Sequence, residues 1–367
     1  MNIHEFQPER ALPDTGAHAI GLNLNHRIYG FADSVLKTRA LRSLENIAAK
    51  YPIYRLARCA SARKLEDIFD DLALHSGLSA CRLDVGELLL ETPGTFINAH
   101  GWRTASYTSC SFGIWSESAA RADELRDRLF SIIGDRYPRE RMFTLDWHFM
   151  DSRSGLNDTS FDELALDVIY DEAYPTLGMP VRDFIRAYLD ASETVLILLG
   201  PPGAGKTKLV RTILGAMSAR KNESANVMYT ADKKVLENDE IFVNFITGAH
   251  DAFVIEDADH LLLARSDGNH DLHRFLAIAD GVVRAQGRKI IFTTNLPNIH
   301  DIDEALLRPG RCFASVRSRP LTRVEAASLI AKIVSEEPRH ASLLETLFPA
   351  GVKGVSVADV YRVCNLR

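Results

Sequence analysis

Cysteine is sparse and unpatterned in this 367-residue chain: five residues, Cys59, Cys81, Cys110, Cys312 and Cys364, with no CxxC spacing. An odd, scattered set excludes a disulfide framework and a zinc site, and it points to reduced thiols in a cytoplasmic compartment. Long apolar runs are also lacking. The longest are strand-sized, far below the roughly 20 residues that span a bilayer, so no membrane is expected as a partner. Residues 1–6 show no basic region leading into an apolar core, which argues against a secretory signal. The net charge of −6 supplies no global pull toward nucleic acid or anionic lipid. The histidines, among them His148, His250, His260, His270 and His273, show no metal-ligand spacing. Internal repeats and low-complexity tracts are missing too. What remains is an ordinary globular composition, 46% apolar and 25% charged, over a length that suggests two or three domains.

Hydrophobic periodicity divides the chain. Residues 1–160 read as an N-terminal α/β module. Leu36, Ala40, Leu44 and Ile47 fall at helical spacing, as do Leu65, Ile68, Phe69 and Leu72. Cys110, Phe112 and Ile114 alternate as in a strand, Ser118 can cap a helix with Ala122, Leu125, Leu129 and Ile132 inward, and Phe143, Leu145, Trp147 and Phe149 alternate again. The polar, turn-rich stretch from Asp151 to Ser160 reads as a linker. From 161 to 318 strands near 194–199, 226–230, 252–256, 289–294 and 313–317 alternate with helices, the signature of a parallel sheet. Residues 319–367 read as a small helical lid.

The strongest local signal follows the apolar run Thr194–Leu199. There the chain reads Gly200-Pro201-Pro202-Gly203-Ala204-Gly205-Lys206-Thr207. A strand that ends in GxxxxGKT and passes into a helix is a phosphate cradle. Its glycines let backbone N–H groups turn toward an anion, and the following helix adds the positive end of its dipole. Lys206 is expected to reach the β- and γ-phosphates, and the Thr207 hydroxyl to ligate Mg2+. Downstream, the apolar strand ending at Glu256-Asp257 brings two acids to a strand tip, where one can hold Mg2+ and the other polarise a water. The strand from Lys289 ends at Asn295, an amide able to hold that water or the γ-phosphate. The sequence Asp301–Arg311 then places Arg308 and Arg311 in a stiff Pro-Gly turn, which suits anion ligands.

In that order these four elements resemble the Walker A, Walker B, sensor 1 and arginine-finger motifs of the AAA family, and especially its classical clade, over about residues 165–367. The resemblance implies a P-loop NTPase fold with ATP and Mg2+ as cofactors, and a ring homo-oligomer, typically a hexamer. Lys206, Thr207 and Glu256 would hold phosphate and metal. Asp257 would be the base, Asn295 the sensor, and Arg308 and Arg311 would act as fingers in the neighbouring subunit's site.

The pattern departs from the family in three places. Glu256-Asp257 inverts the usual Asp-Glu, an order that resembles the mitochondrial Rieske-protein translocase branch. No aromatic–hydrophobic–glycine pore loop follows the strand at 226–230, the nearest candidate being Tyr229-Thr230-Ala231. Gly354-Val355-Ser356-Val357-Ala358-Asp359 resembles the lid motif GxSGAD without its second glycine, and no arginine occupies the sensor 2 place. The leading functional expectation is an ATPase that remodels a protein partner held by the N-terminal module. One alternative is a nucleic-acid-directed loader, using the basic stripe from Lys37 to Lys64 with Tyr51 and Tyr54 among the cations. Another is a nucleotide-dependent scaffold of low turnover, suggested by the inverted acids.

Overall fold

The computed structural model describes residues 53–104, 106–151, 155–165, 167–263 and 287–364. The expected helix at 35–48 and most of the basic stripe lie outside them. The chain forms two units, Met1–Tyr137 and Pro138–Arg367.

The first unit is a five-stranded antiparallel sheet with two helices on one face. Its elements run β1 (Ile53–Ser61), α1 (Leu65–His75), β2 (Ser79–Asp84), β3 (Glu87–Thr92), β4 (Thr95–Arg103), β5 (Thr108–Ser116) and α2 (Ala119–Ile133), and the strand order is β1-β5-β4-β3-β2. Because side chains alternate across a strand, Ala57, Cys59, Leu88, Leu90, Ile97, Ala99, Cys110, Phe112 and Ile114 share one face. There they meet Ile68, Phe69 and Leu72 of α1 and Ala122, Leu125 and Leu129 of α2. Ser118 caps α2 as expected, its side chain accepting the Arg121 N–H at 3.2 Å.

The second unit begins with β6 (Met142–Asp151) and β7 (Gly155–Leu164), an antiparallel hairpin. The alternating stretch read as the last strand of the N-terminal module therefore belongs to the other sheet. The stretch read as a linker is the second arm of that hairpin. Its polarity comes from its position at the sheet edge, where Asp158, Thr159 and Ser160 face solvent. The division between units falls after Tyr137 rather than near 160.

After the hairpin come α3 (Val181–Asp190), β8 (Val195–Leu199), α4 (Lys206–Lys221), β9 (Ala225–Thr230), α5 (Lys233–Leu236), α6 (Asp239–Thr247), β10 (Ala252–Ile255), α7 (Asp259–Leu262), β11 (Lys289–Thr294) and β12 (Cys312–Arg317). The seven strands are ordered β12-β8-β11-β10-β9-β6-β7, and every pairing except β6–β7 is parallel. The five strands expected from the sequence are thus the parallel core, and the hairpin lengthens the sheet at its β9 edge. Burial on both faces explains the unbroken apolar run of β8. Leu196 and Leu198 pack with α3 and α4, while Val195, Ile197 and Leu199 pack with α5, α6 and α7.

Three helices follow, α8 (Arg323–Ile333), α9 (Glu337–Leu347) and α10 (Val357–Val363), in the segment read from the sequence as a lid. Thr322 with Glu325, and Ser356 with Asp359, form capping boxes that start α8 and α10. Among the described residues, no helix is long and apolar enough to cross a membrane.

Candidate functional site

Strands β8, β9, β10 and β11 all end on one edge of the sheet, and in an open parallel sheet that carboxyl edge is where ligands bind. The segment Gly200–Gly205 leaves β8 there and becomes the first turn of α4. Gly200, Gly203 and Gly205 take φ values of +150°, +76° and +86°. A side chain at Gly200 would place its Cβ 2.5 Å from the Ser318 carbonyl, and one at Gly205 would place it 2.9 Å from the Tyr174 hydroxyl. The loop therefore needs glycine for its curl and for its close neighbours alike. The Tyr174 hydroxyl donates to the Gly205 carbonyl at 2.9 Å and pins the loop from outside.

Lys206 folds back over this loop. Its ammonium donates to the carbonyls of Gly200 at 2.6 Å and Pro201 at 3.2 Å, and to Asn295 Oδ1 at 3.0 Å. Burial lowers its pKa, while the nearby carboxylates of Asp257, Asp259 and Glu256 oppose that shift. The amide of Asn295 reaches onward, donating from Nδ2 to Asp257 Oδ1 at 2.9 Å. Asp259 fixes Asn295 in turn, accepting its backbone N–H at 2.7 Å and the hydroxyl of Thr294. Thr207 donates to Glu256 Oε1 at 2.9 Å.

The two acids are separated by the backbone. Ala252, Val254 and Glu256 share a parity, so Glu256 projects to the α4 face of the sheet where Thr207 lies. Asp257 stands at φ +50°, a left-handed conformation uncommon for a residue with a side chain. Its N–H donates to Thr293 Oγ1 at 3.3 Å, and the next N–H, of Ala258, donates to the Thr293 carbonyl at 2.9 Å. That turn aims Asp257 at Asn295 while Glu256 meets Thr207.

Hard oxygen donors beside an ammonium and a glycine-curled loop at a helix N-terminus suit a metal-bound polyphosphate. The residues fit ATP with Mg2+: Gly200–Thr207 for the phosphates, and Thr207 and Glu256 for the ion. Among the described residues, no cluster of three or more His, Cys, Asp or Glu could hold a metal unaided. A donor set completed by nucleotide oxygens fits that pattern.

The two arginines part company. Arg308 is exposed on the turn that Gly310 closes at φ +84°. Arg311 is only 6% exposed, and its guanidinium donates to the Ala305 carbonyl of the preceding turn. The two residues expected as a pair are thus in unlike surroundings, one facing solvent and one inside the loop.

One site residue escaped the sequence reading. Tyr229, considered there only as a pore-loop remnant, lies inside β9 and donates its hydroxyl to Glu256 Oε2 at 2.8 Å. The clue was available in principle, since an aromatic at the penultimate position of a strand adjoining the acidic one can reach its tip. Of the basic stripe, Arg55 pairs with Asp123, and Arg63 pairs with Asp71 while also donating to the carbonyls of Ile132 and Ile133. These two cations are engaged inside their own unit.

Residues 196–320 match the family model described as ATPase family associated with various cellular activities (AAA). The chain is 27% identical over 185 residues to the vesicle-fusing ATPase of Caenorhabditis elegans, covering 45% of this chain and 22% of that protein. It is 30% identical over 207 residues to the nuclear valosin-containing protein-like protein of Mus musculus, covering 52% and 24%. A Bifidobacterium dentium protein named AAA ATPase forming ring-shaped complexes is 24% identical over 233 residues, covering 57% and 43%. The chain therefore spans less than half the length of each of these relatives. The matched segment carries the phosphate loop, the paired acids and the parallel strands β9 to β12, and over residues 196–320 the chain is similar to the AAA ATPase family.

Proposed function

We propose that this protein is an ATP-hydrolysing AAA ATPase that works as a homo-oligomeric ring, a hexamer, and couples hydrolysis to remodelling of a protein client held by the N-terminal unit. The observation that carries the reading is the hydrogen-bonded chain Lys206–Asn295–Asp257, with the pair Thr207–Glu256 beside it. It gathers an ammonium, an amide and two carboxylates at one strand edge, which supports roles in phosphate binding, water activation and metal binding.

Lys206 and the loop amides bind and orient the β- and γ-phosphates. Mg2+, once bound, supplies charge neutralisation of the phosphate oxygens. Asn295 positions the attacking water, and Asp257 accepts its proton on Oδ2 while Oδ1 is engaged by the Asn295 amide. The left-handed turn at Asp257 moves its shorter side chain toward the sensor, which supports activity despite the inverted order and weighs against the inert scaffold. The Glu-Asp order also supports kinship with the Rieske-protein translocase branch.

Arg308, solvent-facing on a stiff turn, is the finger lent to the neighbouring subunit, and Arg311 braces that turn. The ring draws support from the relative named for ring-shaped complexes. Remodelling draws support from the relative named a vesicle-fusing ATPase. A cytoplasmic setting is supported by five cysteines that are all free thiols, although Cys59 and Cys110 face each other across β1 and β5. The engagement of Arg55 and Arg63 within their unit favours a protein client over nucleic acid.

Asp257→Asn tests the reading. It should bind ATP with wild-type affinity, release no phosphate, and retain the client on co-purification. Wild-type turnover in that variant would overturn the assignment of the base.

A further inference from the structure

The sheet places a phenol against the acid of the metal side. In β9, Tyr229 is the register partner of Val254 in β10, so its side chain lies on the same face as Glu256, two residues beyond Val254. It packs there with the α4 cluster, and its hydroxyl ends 2.8 Å from Glu256 Oε2. The other carboxylate oxygen accepts from Thr207 at 2.9 Å.

Glu256 is one methylene longer than the aspartate usual at its position, and the added torsion lets the carboxylate swing away from Thr207. We propose that Tyr229 is a positioning residue for the metal site: its hydroxyl tethers Glu256 Oε2 and holds the long side chain in the rotamer that presents Oε1 to the Thr207 side. This inference rests on the nucleotide site proposed above and adds the residue that makes a glutamate serve there. Tyr229 touches neither phosphate nor water in this scheme. It acts through the acid, as outer partners of metal ligands do.

The test uses the full chain, with ADP present and Mn2+ as the probe, unbound Mn2+ being read by electron paramagnetic resonance. Tyr229→Phe should weaken Mn2+ binding about tenfold, equivalent to about 1.4 kcal/mol, and leave metal-free ADP affinity and the melting temperature unchanged. With ATP at saturating metal, kcat should fall with little change in KM. Glu256→Asp supplies the second arm, because the shorter carboxylate withdraws from the phenol. In that background Tyr229→Phe should have no further effect on Mn2+ affinity. Wild-type Mn2+ affinity in Tyr229→Phe, or the same loss in both backgrounds, overturns the inference. Failure of the nucleotide-site reading shows separately, as ADP affinity retained in Lys206→Ala.

Discussion

The unlike settings of Arg308 and Arg311 allow one turn to be taken apart by mutation. Replacing Arg311 by alanine removes a charged donor from the Ala305 carbonyl in a place that is 6% exposed. A buried hydrogen bond from a charged group contributes about 1.5–3 kcal/mol, and loss of the packed aliphatic stem brings the total to about 2–4 kcal/mol. The unit that carries it runs from Pro138 to Arg367. For a unit of that size each kcal/mol moves Tm by about 2–4 °C, so Arg311→Ala should melt roughly 4–16 °C below wild type. Arg308 is exposed, and its truncation should cost no more than about 0.5 kcal/mol.

Turnover should respond in the opposite sense. Where a finger has been removed in related phosphoryl transfer, the loss is about 10³–10⁵ in rate. Arg308→Ala should reach that range while assembling and melting normally. Scanning calorimetry and phosphate release, both at concentrations that would support the proposed ring, read the two effects. Mixing Arg308→Ala with Lys206→Ala should restore part of the activity, since an intact loop then meets an intact finger. If Arg308→Ala turned over ATP like wild type in the assembled state, or if Arg311→Ala melted like wild type, the division of roles would be refuted.

Two further outcomes follow from local geometry. Gly205→Ala forces a Cβ to 2.9 Å from the Tyr174 hydroxyl at a φ of +86°; a left-handed alanine alone costs about 1–2 kcal/mol, so ATP affinity by calorimetry should drop at least tenfold, and Tyr174→Phe in the same chain should recover only the steric part. In the lid, a two-pronged pairing with Arg319, seconded by the Thr322 N–H, holds Glu325 down at a pKa of about 2. A carboxylate lowered on folding stabilises the fold above its unfolded pKa, and that contribution is lost as pH falls from about 4.5 to 2; the melting difference between wild type and Glu325→Gln should therefore shrink across that window, and a constant difference would contradict the pairing.

How much was legible beforehand depended on what kind of information each feature needs. The phosphate loop announced itself because glycine, lysine and threonine at fixed offsets encode backbone shape and chemistry together. The five core strands were visible because burial on both faces leaves an unbroken apolar run, as in β8. The β6–β7 hairpin was misplaced for a physical reason: alternation reveals that a strand has one wet face, but not which sheet it joins. The polarity of Asn157–Ser160 suits a linker and a sheet edge equally well. Tyr229 was passed over because its role depends on register, the pairing of residue 229 with 254, and register is a property of two strands together. Arg311 looks like Arg308 in one-letter code, and only the fold of the turn separates them. The inverted acids were read by position, and the left-handed backbone of Asp257 supplies the geometry that position alone leaves open.

The C-terminal helices meet the phosphate loop at Gly203, against which Ser356 and Ala358 pack. Ala358 lies in the first turn of α10, where helix N–H groups lack partners of their own, and its N–H donates to the Gly203 carbonyl at 3.0 Å. A glycine of the loop thus terminates a helix of the lid. A rotation of that carbonyl would cost one first-turn N–H its partner while the Ser356–Asp359 capping box holds the rest of the helix start, so the main chain couples the loop to the C-terminal helices. That link joins the loop to the last helix through backbone atoms alone, with no arginine side chain needed at the sensor 2 place.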